Sequence, residues 1–223
     1  MYATRRRILG TMVVMFAAPR LAGCTGRESP KMTSTDSIEL PGLTVRLSVE
    51  RVEKGATLTY SAKATGQQTV FLLDGIHDMI GPDRVFPMRD APWVTVSGGR
   101  VVASARFHGP PPGTFVNTLN YPFPTRIAPG ETAQRKFAIP LPAVSITPYQ
   151  IFRRPPQPEI RALPLFFELG YFLGRPGVEQ MARTVNTSEG PRPSFDALSE
   201  DGQMIARLGP LGEIPVVVNA TEG

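Results

Sequence analysis

Residues 43–50 read Leu-Thr-Val-Arg-Leu-Ser-Val-Glu, in which apolar side chains alternate with polar ones. Successive side chains of a strand point to opposite faces, so a period of two is typical of a strand with one buried face. The alternation returns in residues 57–62, Thr-Leu-Thr-Tyr-Ser-Ala, after a Lys54-Gly55 turn. Two such strands joined by a turn predict an antiparallel hairpin at the start of a sheet.

Further short apolar, β-branched or aromatic runs predict more strands. These cover residues 68–73, 93–96, 101–107, 133–139, 163–173, 204–208 and 214–218. The chain has 24 prolines in 223 residues, about twice the usual ~5 %. Proline is tolerated in loops and strand edges but not within helices. The sequence therefore predicts one all-β domain over residues 38–219, a single antiparallel β-sandwich with long proline-rich loops.

The N-terminus has the composition of a secretory signal. Arg5, Arg6 and Arg7 precede an uncharged, mostly apolar run of eleven residues, 8–18. At about 1.5 Å per residue this run covers roughly half of a ~30 Å hydrocarbon core, so it is too short for a transmembrane helix. We therefore expect residues 1–23 to be a signal peptide that directs export.

The signal is followed by the only cysteine of the chain. Residues 21–24 read Leu-Ala-Gly-Cys and resemble the lipobox of bacterial lipoproteins. The resemblance implies cleavage before Cys24, lipidation of its thiol and acylation of its amine, and therefore a membrane anchor. Thr25 is not the aspartate that retains such proteins in the inner membrane of enteric bacteria, so the resemblance favours the outer membrane if the host has one. Residues 24–37 are expected to form the lipidated cysteine and a flexible tether.

Two weaker resemblances concern export and fold. Residues 4–9, Thr-Arg-Arg-Arg-Ile-Leu, are similar to the twin-arginine export motif, although an ordinary secretory signal begins in much the same way. Both export routes therefore stay open. Residues 129–142, which include Pro-Gly-Glu-Thr and Phe-Ala-Ile-Pro-Leu-Pro, resemble the strand edges of bacterial immunoglobulin-like modules. This resemblance implies an immunoglobulin-like sandwich and brings no functional residues with it.

The charge of the chain argues against a nucleic-acid partner. The 24 Lys and Arg exceed the 19 Asp and Glu, but residues 1–23 hold four of the basic residues and none of the acidic ones. After cleavage, 20 basic residues would face 19 acidic ones. Binding to nucleic acid requires a concentrated basic surface that displaces phosphate counterions. We expect a lipid bilayer, reached through Cys24, and an envelope protein as the partners.

The densest group of chemically active side chains lies in residues 74–78, Asp-Gly-Ile-His-Asp. An imidazole with two carboxylates can hold a divalent metal ion, and a carboxylate can orient His77 as a general base. Asp74 and Gly75, however, directly follow a predicted strand, where turn formation by itself accounts for both. We interpret the segment as a solvent-facing turn.

Other metal ligands are sparse. His108 is the only other histidine, and Met79 and Met88 lie close enough in sequence to suggest a copper site. Methionine is more often a core filler. The metal candidates are therefore Asp74, His77, Asp78 and His108, and we expect no catalytic residue, no bound metal and no cofactor.

Three functional hypotheses follow. The first is a non-enzymatic, membrane-anchored envelope lipoprotein that binds or supports another protein. The second is a metal-dependent or acid/base enzyme centred on Asp74, His77 and Asp78. The third is a carrier of lipid or small molecules, with an apolar interior lined by Phe166, Phe167 and Phe172, in a segment that we also interpret as a central strand covered on both faces.

Overall fold

The computed structural model describes residues 32–81, 83–116, 119–149, 157–175, 179–180, 182–195 and 202–219. The predicted signal peptide, residues 1–23, and Cys24 lie outside the described residues. Thirteen strands occur in the described part of the chain: β1 (Met32–Leu40), β2 (Leu43–Val52), β3 (Gly55–Ala64), β4 (Val70–Gly75), β5 (Trp93–Ser97), β6 (Arg100–Ala105), β7 (Phe123–Ile127), β8 (Thr132–Pro140), β9 (Pro158–Leu173), β10 (Arg183–Thr187), β11 (Gly190–Ser194), β12 (Met204–Leu208) and β13 (Glu213–Asn219). No helix in these residues has the length and apolar character needed to cross a bilayer.

The strands form three sheets. The first, sheet A, has the order β1-β2-β3-β8 and is antiparallel throughout. The second, sheet B, contains seven strands arranged around β9. The third is the β10–β11 hairpin, which contacts β7 at the side of sheet B.

Strand β9 is the centre of sheet B because it pairs with four others. Leu169 pairs with Ala206 of β12 and with Ala105 of β6, so these two strands lie on opposite sides of β9. The first half of β9 pairs with β13 and its last residues pair with β4. Sequence analysis predicted a central strand in this segment, and the pairing confirms it.

The main core lies between sheets A and B. Alternate residues of β2, namely Leu43, Val45, Leu47 and Val49, are at most 3 % exposed, as the period of two predicts. From sheet B, Leu165, Phe167 and Leu169 join the same apolar cluster. A smaller cluster of Phe71, Leu73, Phe107, Phe172 and Phe195 is separate from this core.

The prediction of an all-β domain is confirmed, and one detail of it is wrong. The sheets are not antiparallel throughout, because β6 runs parallel to β9 over Val101–Ala105. The two sheets enclose a common core, which makes the fold sandwich-like.

Strand β1 begins six residues before the start of the domain predicted at Ile38. Residues 32–37 were expected to belong to the tether, because their side chains are polar. They pair instead with β2, and Asp36 accepts a hydrogen bond from the Gly209 N–H at 2.8 Å. Backbone pairing and polar side-chain contacts hold residues 32–37, while Ile38 and Leu40 at the end of the strand pack against the main core.

Strands β7, β10 and β11 also lie outside the runs that the sequence predicts. The sequence of β11, Gly-Pro-Arg-Pro-Ser, contains two prolines, which favour a loop. The Asn186 carbonyl accepts from the Phe86 N–H and therefore points away from β11. Its partner Pro191, and Pro193 two residues later, consequently place their nitrogens on the side away from β10. A proline does not disrupt a strand when its missing N–H faces away from the neighbouring strand.

Candidate functional site

Asp74 is a buried carboxylate between the two large sheets. It lies on β4 of sheet B and is 2 % exposed. The Tyr60 hydroxyl, from β3 of sheet A, donates a hydrogen bond to Asp74 Oδ2. The Thr125 hydroxyl, from β7, donates to Asp74 Oδ1 at 2.7 Å. Both carboxylate oxygens are therefore bonded, as a buried charge requires.

The hairpin β10–β11 extends this network with a cation. Arg192 Nη1 donates to the Thr125 hydroxyl at 2.8 Å and lies 3.6 Å from Asp74 Oδ1. Arg192 Nη2 donates to Glu189 Oε2 at 2.6 Å. Arg192 thus places a positive charge beside the buried Asp74 and also binds Glu189 at the tip of the same hairpin.

Arg135 of β8 closes the network from sheet A. Its two terminal nitrogens donate to the two carboxylate oxygens of Glu189, at 3.0 and 2.8 Å. This is the bidentate geometry that matches guanidinium to carboxylate. The Arg135 side chain is 9 % exposed, and its Nε is buried without a hydrogen-bond partner. Six side chains thus connect all three sheets: Tyr60, Asp74, Thr125, Arg135, Glu189 and Arg192.

Burial and charge shift the pKa values within this network. Burial raises the pKa of Tyr60 well above its ordinary value, and the adjacent Asp74 charge raises it further. Burial acts to lower the pKa of Arg135, but Asp74 and Glu189 outweigh it, so the pKa is raised. Burial likewise acts to raise the pKa of Glu189, but Arg135 and Arg192 outweigh it and lower the pKa. The two shifts of Glu189 and Arg135 both keep their pair ionised.

A cleft of about 450 Å³ lies beside this network, along the edge of β8. Its volume is within the range of ligand pockets, roughly 300–1,000 Å³. The lining carries three cations, Arg135, Lys136 and Arg192, and two carboxylates, Asp90 and Glu189. Thr57, Gln134, Phe137 and Ala138 complete it. The lining includes the consecutive residues 134–138, whose side chains alternate between the two faces of β8. The cleft therefore runs along the edge of this strand.

The prediction of a solvent-facing turn at Asp74 and Gly75 is wrong. Both residues belong to β4 and both are buried. A Cβ on Gly75 would lie 2.0 Å from the Phe123 carbonyl oxygen. Glycine is therefore present because the backbone of β7 passes too close for a side chain, and aspartate is present because it joins two sheets.

His77 is also not solvent-facing. It is 9 % exposed, its ring stacks on Phe123 at 4.2 Å and it meets Phe86 edge to face. Its Nδ1 lies 2.8 Å from the Asp78 carbonyl oxygen, and its Nε2 lies 2.9 Å from the Tyr121 carbonyl oxygen. A neutral imidazole donates to only one of two carbonyls, whereas imidazolium donates to both. The ring therefore connects β4 to the segment before β7 as a packed structural residue.

The other metal candidates are engaged separately. Asp78 is largely exposed and lies 3.5 Å from Arg89, and the ring of His108 is 2.8 Å from the Ser104 hydroxyl. Within the described residues, no group of three or more histidine, cysteine or acidic side chains is placed to hold a metal ion.

The three phenylalanines proposed for a carrier interior do not line one space. Phe167 lies in the main core, and Phe172 stacks on Phe71 in the smaller cluster at 5.0 Å. Phe166 is partly exposed, with the Arg100 guanidinium 6.0 Å from its ring centre. Alternation along β9 places Phe166 and Phe167 on opposite faces.

Most residues of the network were not predicted from the sequence. One signal in the sequence of β8 does point to it. In β8, Ala133, Arg135, Phe137 and Ile139 share one face, and Phe137 and Ile139 are buried. A charge on the apolar face of an alternating strand predicts a buried partner. Glu189 and Arg192 could not be found in this way, because they lie on a hairpin without apolar alternation.

Comparison with models of protein families, with curated proteins and with solved structures found no match.

Proposed function

We propose that this chain is an exported lipoprotein, anchored in a membrane through Cys24, whose β domain binds a component of the cell envelope and catalyses no reaction. One observation supports the binding role above all. The cleft along β8 exposes Lys136 and Gln134 at the surface, while the ionisable groups beside them, including both arginines, bind one another.

The arrangement of the network favours binding over catalysis. A catalytic carboxylate must reach its substrate, directly or through one water. Asp74 is 2 % exposed, and both its oxygens are bonded to protein groups. Glu189 likewise uses both oxygens on Arg135. These carboxylates fix the shape of the cleft and hold its cations in place.

The sequence supports the proposed membrane anchor. Residues 21–24 resemble a lipobox, and two or three acyl chains are enough for firm membrane attachment. We further propose that sheets A and B form a sandwich of immunoglobulin type. Their shared core and the resemblance of residues 129–142 support this assignment.

The anchor is tested by expressing the full chain and Cys24→Ser in a bacterial host. We expect the wild type in the membrane fraction with an acyl mass on its N-terminal peptide, and Cys24→Ser without that mass. A wild-type protein that is unmodified and soluble would contradict the proposal.

The binding role is tested by photo-cross-linking in cells from position 134. The control is Ser37, which lies in the same row across sheet A, Gln134–Ser61–Arg46–Ser37, three strand spacings or about 14 Å away. We expect an adduct of defined mass from position 134 only. Equal adducts from both positions, or none from either, would count against a binding cleft at β8.

A further inference from the structure

We propose that the cleft binds an extended, acidic peptide, which joins sheet A as an additional strand beside β8. This inference rests on the binding function proposed above and names the chemical class of its ligand. It combines the direction of the β8 backbone groups with the charge of the lining.

The first step concerns the free edge of β8. The Ala138 N–H donates to the Asp90 carbonyl at 2.7 Å and so points away from β3. The β3–β8 register is continuous, and backbone groups two residues apart in a strand point to the same side. The N–H and C=O groups of Lys136 and Gln134 therefore also point away from β3.

The backbone groups of Lys136 and Gln134 on this side are available for hydrogen bonding. Ala138 is paired with Asp90, but the described residues provide no strand and no backbone partner for Lys136 or Gln134 on this side. Both residues line the cleft. The cleft thus contains a row of donors and acceptors that repeats every two residues, or about 6.8 Å.

The third step is the charge of the ligand. Among the described residues Lys136 has no ion-pair partner, whereas the carboxylate of Glu189 is already shared by Arg135 and Arg192. Of the three cations in the lining, the two arginines are already paired with Glu189 and with the buried Asp74, so Lys136 is the cation left to attract a ligand. A ligand with carboxylates complements it, and a basic ligand would be repelled.

The backbone groups of the edge favour a peptide over a small anion as the ligand. A free carboxylate accepts hydrogen bonds but donates none, so it leaves the Lys136 and Gln134 carbonyls without partners. An extended peptide supplies both donors and acceptors at the strand repeat, which is the basis of recognition by strand addition. Lysine on an edge strand can also serve only to prevent sheet-to-sheet aggregation, and the experiment below distinguishes this role.

The test uses the ¹⁵N-labelled full chain in detergent and the blocked peptide acetyl-Thr-Glu-Val-Glu-Val-Glu-Thr-amide at about 1 mM, a concentration that reveals weak binding. We expect saturable shifts of the Gln134 and Lys136 amide signals and slower hydrogen exchange at both. Three control ligands should each produce much smaller shifts and less protection from exchange. They are glutarate, the same peptide with Lys in place of Glu, and the same peptide N-methylated at both valines.

Two variants make the test specific. Lys136→Glu should weaken binding by about tenfold or more, because it places like charges together. Lys54→Glu, at the turn beyond the far end of β8 and exposed, should leave binding unchanged.

Equal binding of the lysine or N-methylated peptide, or a response to glutarate alone, would overturn the proposal. So would the absence of any shift at Gln134 and Lys136, or aggregation of Lys136→Glu as the only effect. If the acidic peptide does not bind but position 134 still gives its cross-linked adduct in cells, the binding function stands and only the ligand class is wrong.

Discussion

The Tyr60 hydroxyl of sheet A donates a hydrogen bond to the Asp74 carboxylate of sheet B. Both side chains are almost fully buried, at 1 % and 2 % exposure. The Tyr60 ring also stacks on Phe167 at 6.1 Å, so one residue contributes apolar and polar contact between the sheets. A specific hydrogen bond inside an otherwise apolar core fixes how the two sheets are positioned.

Replacement of Asp74 by alanine should be strongly destabilising. It leaves the Tyr60 and Thr125 hydroxyls without their acceptor and removes one of the two carboxylates that face Arg192. Removal of one member of a buried charge pair typically costs about 3–5 kcal/mol, and we expect a loss of this size in the free energy of unfolding measured with urea.

Asp78→Ala is the matched control for Asp74→Ala. Asp78 is 62 % exposed, at 3.5 Å from Arg89, so its loss should cost at most about 1 kcal/mol. Equal losses for the two variants would show that the Asp74 network does not join the sheets.

Tyr60→Phe should lower stability at neutral pH by about 1.5–3 kcal/mol, the value of a hydrogen bond to a charged group. Tyr171→Phe is the control, since Tyr171 is equally buried but none of the carboxylates in the described residues is bonded to it. We expect it to cost less than Tyr60→Phe in the same urea titration.

Tyr60 and Tyr171 should also determine how the stability of the folded chain falls at alkaline pH. Burial raises the pKa of Tyr171 to about 12, and burial together with Asp74 raises that of Tyr60 well above 10.0. Below pH 10 both are protonated in the folded and unfolded chain. Above it the unfolded chain loses protons first, so stability falls as pH rises. Each variant should flatten this fall, and an unchanged alkaline slope in both would contradict the assignment.

The sequence was sufficient to predict the elements that bury apolar side chains. Alternation in β2 and β3 placed the strands and their inward faces, because burial selects side chains at every second position. It did not find β1, β7, β10 or β11, whose sequences are short, polar or interrupted by proline. Those strands are held by backbone pairing with neighbours and by contacts such as Gly209 N–H to Asp36, which depend on residues distant in sequence.

The site was less predictable, for a related reason. Asp, Gly and His in sequence are typical of turns and of metal sites alike, and local sequence does not reveal that Phe123 passes over this segment. The partners of Asp74 come from β3, β7 and the β10–β11 hairpin. The pairing of β4 with β7 and the packing of sheet A on sheet B together bring them within reach.

His77→Ala should cost about 2–3 kcal/mol, rather than the ~1 kcal/mol or less of a surface position. The change removes the contact of His77 Nε2 with the Tyr121 carbonyl and leaves a cavity beside Phe123 and Phe86. Met79→Ala is the control, because Met79 is 89 % exposed. Thermal unfolding of both variants gives the comparison, and a midpoint for His77→Ala equal to that of Met79→Ala would refute the structural role.

Glu189 should contribute to stability that is lost in acid. Burial opposes its charge, but Arg135 and Arg192 lower its pKa below the ordinary 4.5. Its contribution is therefore present above about pH 4.5, the value of the unfolded chain, and is lost as pH falls through the lower folded value. Glu189→Gln should reduce the slope of stability against pH below this point, as measured by urea unfolding at a series of pH values.

Gly75→Ala should be among the most damaging single changes in the chain, although it adds only one methyl group. The new Cβ would lie 2.0 Å from the Phe123 carbonyl oxygen and 2.9 Å from its carbon. Backbone atoms cannot move aside without separating β4 from β7, so we expect a loss above the 1–3 kcal/mol typical of overpacking. Gly55→Ala, whose Cβ would meet the Ile139 oxygen at an ordinary 3.6 Å, should change stability by less than about 1 kcal/mol. Urea unfolding of the two variants decides the matter: similar midpoints would mean that β7 does not pass close to Gly75 and that the glycine serves as a turn residue after all.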